Sequence, residues 1–111
     1  MSLLHSLLAG ELNPEQILQA LQQVLDPELG VNIVDLGLIY GVSVEGDRVR
    51  LRMTMTTPAC PLGGYLEEAV RGTLRQEFPT LRTVVVEWVW EPPWSPERMS
   101  PEARRQLGWE G

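Results

Sequence analysis

Tyr40-Gly41-Val42-Ser43-Val44-Glu45-Gly46-Asp47-Arg48-Val49-Arg50-Leu51-Arg52-Met53 alternates apolar and polar residues on both sides of a Gly46-Asp47 pair. Successive side chains of a strand point to opposite faces, so period two on each side of a two-residue turn reads as a β-hairpin. With Glu45 opposite Arg48, one face pairs Val44 with Val49, Val42 with Leu51 and Tyr40 with Met53. The other face pairs Glu45 with Arg48 and Ser43 with Arg50. Apolar meets apolar on one side and polar meets charged on the other, as in a sheet covered on one face only. Strands are therefore expected over residues 38–45 and 48–56.

Upstream of the hairpin, Asn13-Pro14-Glu15-Gln16 combines an N-cap, a proline at the first helical position and a glutamine three residues after the cap. Ile17, Leu18, Leu21, Val24 and Leu25 follow at helical spacing, which predicts a helix to about residue 26, where Pro27 would stop it. Residues 26–37 keep no period and are punctuated by Pro27, Gly30 and Gly37, so they read as a structured loop. Downstream, Leu62, Leu66, Ala69, Val70, Leu74 and Phe78 mark a second helix ending near Pro79. Residues 84–90 follow as a third strand, with Val84, Val86, Trp88 and Trp90 on its core side. Strand, helix, strand requires a crossover, so the third strand should run parallel to the second. The expected fold class is α+β: a two-layer α/β sandwich with a small mixed three-stranded sheet and two helices on one face. The domain is expected over residues 1–91. A tail, 92–111, contains proline and tryptophan and carries a short helix begun by Ser100-Pro101-Glu102.

A chain of 111 residues that is 43% hydrophobic suits one core, large enough to fold without metal or disulfide support. Nine basic against fifteen acidic residues leave a net charge of −6, and every basic residue is arginine. That balance lacks the basic footprint a phosphate backbone requires, which argues against a nucleic-acid partner. One cysteine cannot close an internal disulfide, and an odd thiol fits the cytosol better than an oxidising compartment. The apolar start lacks a basic n-region, and no apolar run reaches the roughly 18 residues of a membrane span. The expectation is a soluble, unexported protein without a membrane partner.

Cys60 stands just before Pro61 and the start of the second helix, near where unpaired amides would favour a thiolate. The plain alternative is that it is a small buried hydrophobe, as many free cysteines are. Asp26, Glu28 and Asp35 put three carboxylates in one loop, able to ligate or relay protons beside a metal, although aspartate also commonly caps and starts turns. Thr56 and Thr57 end the second strand and could donate hydroxyls, or simply serve strand propensity and a turn. The Arg48, Arg50 and Arg52 ladder could bind an acidic partner, or be the solvated side of the hairpin.

Three motifs occur in order at these element boundaries: Asp26-Pro27-Glu28, Val34-Asp35-Leu36-Gly37-Leu38-Ile39, and Thr56-Thr57-Pro58-Ala59-Cys60-Pro61. Together they resemble the signature of the MIP-eighteen-like domain of SufT-like and PaaD-like proteins, over about residues 12–90. The resemblance implies a non-enzymatic accessory factor in iron-sulfur cluster assembly or in maturation of iron-sulfur client proteins. It implies iron or a cluster held transiently at Cys60, with Asp26, Glu28, Asp35, Thr56 and Thr57 around it. The implied partners are the assembly machinery and client apoproteins. Longer PaaD-like proteins continue into a cysteine-rich end that this sequence lacks, so only the general assembly role is carried over. Clusters typically take four protein ligands, so one thiolate per chain needs a homodimer or a partner to supply the rest. Two other readings remain open. A cysteine-independent adaptor would leave Cys60 inert, and a thiol enzyme would need a general base, for which only His5 is available.

Overall fold

A computed structural model describes residues 12–56 and 63–108. Asn13 caps the first helix, α1 (Pro14–Leu21), through a reciprocal capping box. Its side chain accepts from the Gln16 amide at 2.9 Å, and Gln16 Oε1 accepts from the Asn13 amide at 3.0 Å. Ile17, Ala20 and Leu21 are buried, so the apolar face is the one the sequence indicates.

The helix stops at Leu21 rather than near residue 26, and the competing interaction is visible. Asp26 N donates to Val31 O at 2.9 Å and Ile33 N to Val24 O at 3.0 Å, while Leu25 bridges Asn32. Residues 24–26 therefore pair back on 31–33, and the backbone groups that would have extended the helix are used there. Leu25, which helical spacing placed on the buried side, is 51% exposed. The loop that follows is ordered as expected, and buries Val31, Ile33, Leu36 and Leu38 in the core.

The sheet has the order β1-β2-β3, with β1 (Ile39–Glu45) antiparallel to β2 (Arg48–Met53) and β2 parallel to β3 (Thr83–Trp88). Pairs Glu45/Arg48, Val44/Val49, Ser43/Arg50 and Val42/Leu51 occur in the expected register. The expected Tyr40–Met53 pair does not form. The ladder shifts between Ile39 and Gly41, and Met53 faces Ile39 instead. Tyr40 is the extra residue of this bulge. Its hydroxyl donates to the Pro92 carbonyl at 2.7 Å, and the Arg98 guanidinium lies 4.2 Å above its ring.

The second helix, α2 (Gly63–Glu77), buries Leu66, Val70 and Leu74. It packs on α1 and β3, while α1 packs on β1, giving the two-layer sandwich. β3 ends at Trp88, short of the expected residue 90; Trp90 is 41% exposed and stacks on Trp88 at 6.2 Å between ring centroids. A 3-10 turn (Pro96–Arg98) and a short helix, α3 (Pro101–Leu107), follow. Ser100 Oγ caps α3 at the Ala103 amide. Met99 and Ala103 are buried in the same core as the sheet. Trp94 Nε1 donates to Leu36 O at 2.7 Å and Ser100 N to Asp35 O at 2.7 Å, so the tail lies against the end of the loop. No described helix is long and apolar enough to cross a membrane.

Candidate functional site

Cys60 and Thr57 lie outside the described residues, as do Leu62 of the second helical pattern and His5. The described residues on either side of 57–62 are the half-buried Thr56 after β2 and Gly63 at the first turn of α2. A Cβ on Gly63 would sit 3.6 Å from Met55 Sδ and 3.8 Å from Trp88 Cζ2, so the start of α2 rests on Met55, two residues past β2, and on the end of β3.

This junction is held by a network absent from the sequence reading. Trp88 Nε1 donates to Glu67 Oε1 at 3.0 Å. Arg71 donates to Glu67 Oε2 through Nη2 at 3.0 Å and Nε at 3.3 Å, and through Nη1 to the Val84 carbonyl. The Trp88 hydrogen bond and, next, the Arg71 hydrogen bonds hold the Glu67 carboxyl below its ordinary range, against a smaller opposing effect of burial. Both charged side chains are about one third exposed, at 32% each, so water screens the pair. The i, i+4 spacing of Glu67 and Arg71 was a readable signal; the link to Trp88 required the crossover to be folded.

The acidic loop is built by its own carboxylates. Asp26 is 4% exposed, and its Oδ1 accepts from the amides of Glu28 at 2.8 Å and Leu29 at 3.0 Å. Its carbonyl accepts from Gly30 N at 2.8 Å. Asp35 Oδ2 accepts from Asn32 Nδ2 at 2.7 Å, and Asn32 Oδ1 accepts from the Asp35 amide at 2.9 Å. These bonds order the turn and point the two carboxylates at local donors. Glu28 is exposed. Among the described residues no three His, Cys, Asp or Glu side chains come together as a metal-binding group. Two open cavities occur elsewhere. One, of about 340 Å³, lies between α1 and α2, and the other, of about 290 Å³, on the outer side of the sheet. Neither is lined by Asp26, Glu28, Asp35 or Thr56.

The architecture is that of a small α+β domain in which the first two sequence motifs lie between α1 and the start of β1 and the third begins at Thr56, after β2. The family described as iron-sulfur cluster assembly protein matches residues 14–88, and the chain belongs to it. It is 42% identical over 95 residues to the Fe-S protein maturation auxiliary factor YitW of Bacillus subtilis, covering 85% of this chain and 92% of that one. It is also 42% identical over 86 residues to the Fe-S protein maturation auxiliary factor SufT of Staphylococcus aureus, covering 77% and 97%. Among solved structures, a DUF59 domain of unknown function from Bacillus anthracis superposes with a TM-score of 0.83 at 40% identity, over 86% and 92% of the two chains.

Proposed function

We propose that this chain is an accessory factor in iron-sulfur cluster assembly that passes iron or a cluster to client apoproteins through Cys60. The observation that carries this reading is the family match over residues 14–88, a span that includes all three motifs. Identity of 42% to two proteins named as Fe-S protein maturation auxiliary factors supports it. In this reading the role is non-enzymatic, in keeping with the auxiliary-factor names of the two relatives. Iron and clusters are cargo, and one thiolate per chain means that a second chain or a client completes the ligand set. A homodimer and a cytosolic location are part of the proposal. Asp26, Glu28, Asp35, Thr56 and Thr57 are proposed to surround Cys60 in this role.

Maturation of iron-sulfur enzymes in cells lacking the native protein tests the reading, together with melts of purified variants. Cys60→Ser should abolish client maturation while stability stays within about 1 kcal/mol, as expected for a near-isosteric swap. Full complementation by a folded Cys60→Ser variant would instead establish a cysteine-independent adaptor.

A further inference from the structure

We propose that the solvent-facing side of the sheet, at its hairpin end, docks an acidic segment of a partner protein. The segment lies extended along β2 and presents carboxylates at alternate positions to Arg48 and Arg50. The proposal goes beyond cluster handling and does not depend on Cys60.

Register puts Arg48, Arg50 and Arg52 on one face of the central strand. Three like charges at alternate positions repel one another, and the fold neutralises only the third. Arg52 pairs with Glu87 on β3 at 3.5 Å. Most other arginines are also occupied: Arg71 by Glu67, Arg82 by Asp47, Arg105 by Glu102, Arg104 by the Pro96 carbonyl and Arg98 by the Tyr40 ring. Arg75 sits in the last turn of α2, where a cation complements the helix dipole. Among the described residues, Arg48 and Arg50 are left exposed with no ion pair, although Glu45 stands directly across from Arg48.

The two arginines line the shallow cavity of about 290 Å³, together with Ser43, Glu45, Val49 and Val85. Ser43 and Val85 flank Arg50 on the neighbouring strands, and Val85 is 38% exposed. A hydroxyl and an apolar side chain thus lie on either side of Arg50. Alternate residues on a strand are about 6.7 Å apart, so an extended ligand with acidic residues at every second position matches both arginines. Guanidinium binds carboxylate through paired hydrogen bonds.

The probe is a short fluorescein-labelled peptide of alternating Glu and Val, titrated with the purified full chain and followed by anisotropy. Saturable binding that weakens as salt rises is expected. Arg50→Glu places no like charge opposite an acidic residue, since its neighbours are Ser43 and Val85, and should weaken binding about tenfold or more. The Arg48→Gln/Arg50→Gln double variant should do the same, while Arg75→Glu should bind as the unaltered chain does. No saturable binding, or binding that survives Arg50→Glu in a protein with an unchanged melt, overturns the proposal. So does a single-stranded oligonucleotide that binds as tightly as the peptide, because it would make the face a general anion site. A block peptide of the same composition should bind more weakly, and equal binding would overturn the alternate-position match.

Discussion

Gly37→Ala probes the contact on which the tail depends. Gly37 has φ +81°, a region in which a residue with a Cβ costs about 1–2 kcal/mol. The added Cβ would also lie 2.7 Å from Arg98 Cβ and 2.8 Å from the Arg98 carbonyl carbon, with the Arg98 carbonyl oxygen against it as well. Those are backbone or near-backbone atoms, and the turn that carries them is tied down. Arg98 N donates to Ser95 O at 3.0 Å, Met99 N to Pro96 O at 3.1 Å and Ser100 N to Asp35 O at 2.7 Å. No rotamer change relieves the overlap, so the 3-10 turn must move, adding about 1–3 kcal/mol. The total expected loss is about 2–5 kcal/mol. Gly30→Ala is the control: φ is +70° but nothing lies within 4 Å of the new Cβ, so only the backbone part, about 1–2 kcal/mol, is expected. Urea unfolding of both variants isolates the overlap, and each kcal/mol of difference should lower Tm by about a further 4–8 °C. Equal stability of the two variants would refute close tail packing at Gly37.

Glu67 makes stability depend on pH. Its folded-state carboxyl titrates below its ordinary value of 4.5, so its contribution is present above that value and is lost as pH falls through the lower folded value. The stability gap between the unaltered chain and Glu67→Gln should therefore be constant near neutrality and shrink in acid; a gap independent of pH would contradict the bonding described. Asp26→Ala should cost about 0.5–2 kcal/mol because two loop amides lose their acceptor, whereas Asp26→Asn keeps Oδ1 and should cost less; equal losses in denaturant melts would show that the charge rather than the cap matters. Thr54 Oγ1 is buried and has no hydrogen-bond partner among the described residues, so Thr54→Val should raise stability by about 1 kcal/mol, and a fall on calorimetry would show that the hydroxyl is bonded.

The hairpin register from Val42/Leu51 to Glu45/Arg48, the cap of α1, the apolar stripe of α2 and the parallel β3 were legible, because each rests on local period or on a connection too long for a hairpin. The candidate site was less so. The Asp26 and Asp35 carboxylates could be picked out, but their engagement with the Glu28, Leu29 and Asn32 groups depends on turn geometry. Glu67, which braces the start of α2, is not legible locally because one of its three hydrogen bonds comes from Trp88, 21 positions away.

By itself, then, the sequence determined the sandwich, its strand order and its family, since hydrophobic period and short motifs are properties of contiguous residues. Tertiary structure decided where those elements end. α1 stops early because Val24 and Asp26 find partners across a loop, and Tyr40 leaves the ladder with its hydroxyl on the Pro92 carbonyl. Trp90 lies outside β3 and stacks on Trp88 instead. For α1 and Tyr40, partners that the local pattern does not show outweighed local propensity, which is worth only a fraction of a kcal/mol per residue.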